Sequence, residues 1–517
     1  MRNEVTNIVW LSFGEYRGYW FSALGAHTVA GYLETVLPST LSQKIWYYEE
    51  NGLPVLKRNI ALFAPDYICF SVNIGYESKA MDVANELCGA LGTPSGSGFV
   101  FGNRACSNLE WVHEILRQFP QAVVVDGDGE LALSGLLQGT LPTSLPNSWS
   151  LIDGAPIFSW HEPTPAKHLC APTFAISVLN STNLHLNRQV AFVETSRGCS
   201  KWPACTFCIH SCNLVAKRQK ADWRAVPIEE LEKSIRIVMQ SHPATINFVS
   251  EDLVGPNNAV FQQFLDFLME MRLNGTLPST TTLYGAVKVS DIACSGDSLQ
   301  IQREKKNRLV QMRQLGFRTL YVGFESGSDP QLRRYGKYTS THDNFQAIEL
   351  MREVGISIDG GFIPFDPLVT LDEVESNMRF LETAQVPKLF IFPFNSLEVI
   401  RGSGYARLLS QHIPNNIAAT PRLLRIIEHV QRMLDYRLLE RFLQEMRLCY
   451  FSGDATRAKQ FEMLATDYGM CAIRFVQRLI DMLRSNNDET ETNATVANYL
   501  IDEVKNAYRM SKLIHYF

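Results

Sequence analysis

The chain has 517 residues, with 48 Lys and Arg against 53 Asp and Glu for a net charge of −5, and it is 46% hydrophobic and 20% charged. That is room for two to four domains with full cores and the balance of a soluble globular protein. The absence of a basic block argues against a dedicated nucleic-acid binder, and no apolar run approaches the length of a membrane span. The segment Met1-Arg-Asn-Glu-Val-Thr6 lacks the apolar core of a signal peptide, and the eleven cysteines point to reduced thiols or metal ligands rather than a disulfide framework. The expected compartment is the cytoplasm, with no membrane partner.

Residues 1–140 alternate short apolar strands (Ile8–Leu11, Lys44–Tyr48, Asp66–Val72, Gly98–Gly102, Ala122–Asp126) with helical stretches such as Ala23–Leu33 and Ser78–Leu87. This pattern predicts a doubly wound, Rossmann-like parallel sheet. Ligands of such sheets sit beyond the C-terminal strand ends, which here carry Asn73, Gly102, Asn103, Gly127 and Gly129. Residues 141–187 are rich in Pro, Ser, Thr and Asn and read as a surface linker.

From 188 to 409 the strand–helix alternation resumes with longer helices. Strands are predicted at Val190–Val193, Thr245–Ser250, Thr281–Val287, Arg318–Phe324, Ile356–Phe362 and Leu389–Phe392. Ser340 with Asp343, and Thr370 with Glu373, have capping-box spacing, and Gly275 and Gly355 stand where helices stop. Six such units suggest a partial (β/α)6 TIM-like barrel with its site at the C-terminal strand ends. Residues 410–517 are predicted to be mostly helical.

The first strand of that barrel runs into Glu194-Thr-Ser-Arg-Gly-Cys199-Ser-Lys-Trp-Pro-Ala-Cys205-Thr-Phe-Cys208, three cysteines spaced C-x5-C-x2-C. Three thiolates on a four-iron, four-sulfur cluster leave one iron open to a chelating small molecule. The same residues also suit zinc with His210 as a further ligand, scattered core thiols, or a disulfide pair. Cys212 offers a competing set, C-x2-C-x3-C from Cys205 onward, without Cys199.

Thr195-Ser-Arg-Gly-Cys199 followed by Cys205-Thr-Phe-Cys208 resembles the cluster loop of radical S-adenosylmethionine enzymes. The usual spacing there is C-x3-C-x2-C with an aromatic residue before the last cysteine, the place of Phe207. The two extra residues in the first gap are a departure; longer first gaps occur in some cobalamin-linked members. Tyr321-Val-Gly-Phe-Glu-Ser-Gly-Ser-Asp329, Gly355-Ile-Ser-Ile-Asp-Gly-Gly-Phe-Ile-Pro-Phe-Asp-Pro367 and Asn395-Ser-Leu-Glu-Val-Ile-Arg-Gly-Ser403 resemble the fourth, fifth and sixth strand regions of that family. Pro65–Ser71, Phe101-Gly-Asn103 and Asp128-Gly-Glu130 resemble the cobalamin-binding domain that precedes many members. The D-x-H-x-x-G motif that supplies a lower cobalt ligand elsewhere is absent, so the resemblance implies cobalt whose lower face is not held by a histidine.

The resemblance implies a 4Fe-4S cluster on Cys199, Cys205 and Cys208. It implies S-adenosylmethionine against Phe207, with Glu251 or Asp252 at its amine, Glu325 and Ser326 near ribose and methionine, and Gly360, Gly361 and Val399 near adenine. Cobalamin would lie at Asn73, Gly102, Asn103, Gly127 and Gly129. The implied activity is a cobalamin-dependent C-methyltransferase acting on an unactivated carbon of a peptide or secondary metabolite, fed by a donor such as flavodoxin or ferredoxin. Rearrangement or cyclisation is one alternative, and a non-catalytic Fe–S or zinc protein another.

Overall fold

The computed structural model describes residues 5–13, 24–38, 40–91, 96, 98–169, 190–212, 223–386, 394–412, 423–428 and 455–485. They fall into two compact units: Met1–Arg188 with Phe192–Gly198 and Cys212–His242, and Gln189–Ala191 with Cys199–Ser211 and Pro243–Phe517.

The first unit is built on a seven-stranded sheet in the order β2-β1-β3-β4-β5-β6-β7: β1 Thr6–Phe13, β2 Leu41–Tyr47, β3 Tyr67–Val72, β4 Phe99–Gly102, β5 Val123–Val125, β6 Ser148–Ile152 and β7 Ala155–Ser159. β1 to β5 are parallel, with Trp10 beside Ile45 and Cys69. Both faces are buried, which is why the strands read as unbroken apolar runs. Val9, Leu11, Phe13, Phe70, Phe101 and Val124 pack on one side with residues of α2 (Tyr48–Phe63), α3 (Glu77–Leu91) and α4 (Leu109–Gln118). Ile8, Trp10, Cys69, Val100 and Val123 pack on the other with α1 (Leu24–Val36) and α5 (Gly129–Leu137). The order 2-1-3-4-5 reverses between β1 and β3, and ligands of such sheets collect beyond the strand ends at that reversal.

The stretch expected as a linker contributes β6 and β7, an antiparallel hairpin on the β5 edge. Its turn is Asp153-Gly154, both at positive φ, as a two-residue hairpin turn requires. Trp149 anchors it, buried against Phe158 at 4.8 Å between ring centroids.

The second unit holds four strands in the order β14-β13-β12-β11: β11 Thr245–Val249, β12 Thr282–Val287, β13 Phe317–Glu325 and β14 Ser357–Phe362; the residues of β8 (Val190–Glu194) are divided between the two units. β11 through β14 are parallel. One face is apolar (Ile246, Phe248, Leu283, Leu320, Val322, Phe324, Phe362), buried under α7 (Asn258–Leu273), α8 (Leu299–Leu315), α10 (Thr341–Val354) and α11 (Leu371–Ala384). Between α8 and α10 lies the short α9 (Asp329–Arg334), while α6 (Ile228–Met239) belongs to the first unit, as does the two-stranded pair of β9 (Ser196–Arg197) and β10 (Arg224–Ala225). The other face carries polar side chains, with Asn247 beside Tyr284 and Tyr321 beside Asp359 in the register, so this is the inner, open face of an incomplete barrel.

Both predicted capping boxes form: Ser340 with Asp343, and Thr370 with Glu373. The predicted sixth strand, Leu389–Phe392, lies outside the described residues. Just after it, Phe365 donates its amide to Asn395 O at 3.3 Å and accepts the Leu397 amide at 2.8 Å. Of the predicted C-terminal helices, the structure describes 423–428 and a 30-residue helix Ala455–Arg484, in which Arg484 pairs with Asp372 and, at 2.9 Å, with Glu375 of α11. Ahead of both in the chain comes α12 (Gly404–His412).

Candidate functional site

Cys199, Cys205 and Cys208 are all partly exposed, whereas Cys212 is fully buried. The loop that carries the three is held at its front and its back. At the front, Asp252 at the end of β11 accepts the Ser200 amide at 3.1 Å and the Ser200 hydroxyl. Lys288, just past β12, neutralises Asp252 at 2.5 Å and donates to Ser200 Oγ at 3.1 Å. Asp252 has no exposed surface and also accepts the Gly255 amide at 3.1 Å. Burial opposes its charge; Lys288, Ser200 and Gly255 outweigh that and hold its carboxyl below the usual range.

At the back, Thr206 donates its amide to Tyr335 O at 3.0 Å and its hydroxyl to Arg334 O at 2.8 Å, and its carbonyl accepts the Tyr405 amide at 2.7 Å. Gly404 comes so close that a Cβ there would stand 3.1 Å from Thr206 Cα. Ser211 Oγ donates to Thr206 O and accepts the Gly404 amide at 2.9 Å. Phe207 meets Tyr335 edge-on at 5.2 Å between centroids. Beneath this lies Asp366, 1% exposed, which takes the hydroxyls of Tyr335 (3.0 Å) and Tyr405, Gln331 Nε2 at 2.7 Å and Arg334 at 2.8 Å. Arg334 also pairs with Glu373 at 2.8 Å.

Cations surround the thiols. Lys201 donates to Gly336 O and, at 3.3 Å, to Pro203 O, and stands 4.5 Å from the centre of the Tyr338 ring. Lys337 pairs with Glu325 at 3.3 Å. Burial lowers the Lys201 ammonium, with Cys205 pulling the other way. Burial also works against Lys337, but Glu325 and then Cys205 hold it above its usual value. Cys199 is pushed up to about 11 by burial, against the Lys201 amide, so the bare thiol is protonated and a metal would have to displace that proton. Among the described residues, no three His, Cys, Asp or Glu side chains converge on a single metal ion. A four-iron cluster is a larger body with a separate iron for each thiolate. Three part-exposed thiols ringed by lysines fit such an anionic group.

The remaining residues separate into those at the open face and those turned from it. Glu325 ends β13 at φ 65, with its carboxylate against Gly323 and Gly361. A Cβ on Gly361 would stand 2.3 Å from the Tyr321 hydroxyl and 3.1 Å from Glu325 Oε2, so this glycine makes room for two neighbouring side chains. Gly360 is buried on the opposite face of β14, and Val399 is half-buried. Ser326 is fully buried, its hydroxyl 2.6 Å from Gln331 Oε1 and 2.8 Å from Asn377 Oδ1. Glu251 is exposed while its neighbour Asp252 is the loop's anchor. Lys288, Tyr284 and Asp359 went unnoticed in the sequence; Tyr284 donates to Asp359 at 2.8 Å across β13. The available signal was the pair of alternating polar residues in each strand, Thr282 with Tyr284 in β12 and Ser357 with Asp359 in β14.

In the first unit, Asn73, Gly102, Asn103 and Gly127 lie at the C-terminal ends of the adjacent strands β3, β4 and β5. Asn103, at φ 78, donates to Ser71 Oγ at 3.1 Å; Gly102 has nothing within 4 Å of where a Cβ would be, and Gly127 has φ 134. Gly129 is different: a Cβ there would meet Val29 of α1 at 3.1 Å, so it serves helix packing. His27 is fully buried in α1.

No family model matches the chain. A 4′-phospho-dehydrooxetanocin synthase of Priestia megaterium is 25% identical over 352 residues, 63% of this chain and 44% of that protein. An anaerobic magnesium-protoporphyrin IX monomethyl ester cyclase of Synechocystis is 20% identical over 296 residues, 54% of this chain and 53% of that protein. The chain thus spans about half the length of the curated relatives it matches. The solved structure of OxsB, a cobalamin-dependent S-adenosylmethionine radical enzyme with aqua-cobalamin and S-adenosylmethionine bound, superposes with a TM-score of 0.74 at 16% identity, covering 99% of this chain and 79% of that one. TsrM, a radical S-adenosylmethionine methyltransferase from Kitasatospora setae with cobalamin and a [4Fe-4S] cluster bound, gives 0.55 at 13% identity over 74% of each chain. The chain has the fold of the cobalamin-dependent S-adenosylmethionine radical enzymes.

Proposed function

We propose that the chain is a cobalamin-dependent radical S-adenosylmethionine enzyme. In this reading residues 1–140 bind cobalamin, 188–409 form the radical barrel and 410–517 a helical domain. The observation that carries it is the cysteine loop: three part-exposed thiols, pinned through Ser200 and Thr206 and ringed by Lys201, Lys288 and Lys337, on a fold shared over nearly the whole chain. Bound there, the cluster supplies one electron for cleavage of S-adenosylmethionine, and cobalamin supplies a carrier for a methyl group or a further one-electron centre. The chain's own part is to seat and shield them. Cys199, Cys205 and Cys208 hold three irons; the buried Cys212 stays out of the set. The lysines balance the thiolates' charge, and Glu325 with the polar row Tyr284, Tyr321 and Asp359 orients what enters the open face.

We favour methyl transfer to an unactivated carbon of a small molecule or peptide, with reducing equivalents from a flavodoxin- or ferredoxin-like donor. A non-methylating radical reaction is the second reading. It is supported by the fuller match to OxsB than to TsrM, and by a relative named a synthase. Anaerobic reconstitution followed by product analysis tests both. Cleavage to 5′-deoxyadenosine is expected, abolished in Cys199→Ala and kept in Cys212→Ala; the reverse pattern would overturn the ligand set, and no cleavage would leave a non-catalytic metal protein. S-adenosylhomocysteine beside 5′-deoxyadenosine marks methyl transfer, and its absence the second reading.

A further inference from the structure

Cys205 and Cys208 are the two ends of one turn, closed by the Cys208 amide donating to Cys205 O at 3.0 Å, with Thr206 and Phe207 at its corners. The corners are held from outside. The Thr206 amide, hydroxyl and carbonyl are bound by Tyr335 O, Arg334 O and the Tyr405 amide, and the Phe207 ring lies against Tyr335. These partners come from two places far apart in the chain, the end of α9 and the start of α12. All of these residues belong to the second unit.

Asp366, in the loop after β14, joins the two. Its Oδ2 accepts the Tyr335 hydroxyl at 3.0 Å, Gln331 Nε2 at 2.7 Å and Arg334 Nη2 at 2.8 Å. Its Oδ1 accepts the Tyr405 hydroxyl and, at 2.8 Å, the Leu368 amide. None of these donors belongs to the turn itself. Asp366, Gln331, Tyr335 and Tyr405 are all buried, so a donor that lost the carboxylate would have no bulk water to turn to. The donors also approach both oxygens. An amide in this place would aim its own N–H groups at one set of donors, whichever way it turned.

We infer that Asp366 is a positioning residue for the cluster: by tying Tyr335 to Tyr405 it fixes the turn that spaces Cys205 from Cys208, and with it the two irons those thiolates hold. This rests on the cluster assignment proposed above. The test uses the full chain, reconstituted anaerobically, with iron and sulfide assayed and a thermal melt recorded before a ferrous chelator is added and iron release is followed by absorbance. The variants are Asp366→Asn, and Tyr335→Phe and Tyr405→Phe, each of which removes one tie and leaves the ring. Asp343→Asn is the matched control: it alters another buried carboxylate of the same unit, one that accepts the Ser295 amide at 2.6 Å and the Ser340 amide at 2.7 Å at the start of α10. Asp366→Asn is expected to release iron at least about tenfold faster than wild type, each tyrosine variant at least about threefold faster, and Asp343→Asn within about twofold of wild type although its melt is lowered. Release at the wild-type rate from the folded tyrosine variants would overturn the inference, and so would equally fast release from Asp343→Asn, which would trace the effect to stability alone. Failure of the wild type to take up iron and sulfide would overturn the cluster assignment itself.

Discussion

Buried ionisable side chains are treated in two ways here. Asp366 keeps its charge: burial opposes it, but Arg334, Tyr405 and Gln331 hold its carboxyl below the usual range. Paired in this way, it can fix Tyr335 and Tyr405, whose backbones hold Thr206 of the cysteine loop. His27 gives its charge up. Burial lowers it from 6.5 to about 4. The unfolded chain takes up that proton near pH 6.5, while the folded chain refuses it until about pH 4. Stability is therefore lost as pH falls through this window, by up to about 3 kcal/mol. Denaturant melts across pH 7 to 4 are expected to show that loss, and His27→Gln to flatten it. An unchanged slope in the variant would show that other groups carry the acid sensitivity.

Elements were legible where a single local rule governs them. The five parallel strands of the first sheet, the capping boxes at Ser340 and Thr370, and the left-handed Gly355 that ends α10 follow from apolar runs and spacing, and the structure has all of them. The hairpin β6–β7 was not legible, because its prolines and serines read as linker while only Trp149 and Asp153-Gly154 mark it as sheet. Helix α2 was missed because Pro54 and Gly52 interrupt its pattern. Long-range contacts were the other blind spot. Asp252 reads as an acid at a strand end, but nothing in the sequence ties it to Lys288 and Ser200. Trp149 gives this scale its test. Trp149→Ala should cost about 3–5 kcal/mol in a two-state melt, since it empties a buried anchor between β6 and the core. A loss under about 1 kcal/mol would mean that the hairpin merely rests on the sheet edge.

At the scale of the whole molecule, no described helix is long and apolar enough to cross a membrane. One unit offers strand ends with close backbone approach; the other offers a thiol loop and a polar inner sheet face. The likeness in fold to OxsB covers 99% of the chain at 16% identity, so what the two share is the fold.

The central claim is that three cysteines hold a cluster with one iron left for S-adenosylmethionine. Electron paramagnetic resonance of the reduced, reconstituted chain, recorded before and after adding S-adenosylmethionine, tests it most directly. The account expects a four-iron signal whose g-values move on addition, and no such signal in Cys199→Ala. A signal that ignores S-adenosylmethionine, or one that survives loss of Cys199, would contradict it.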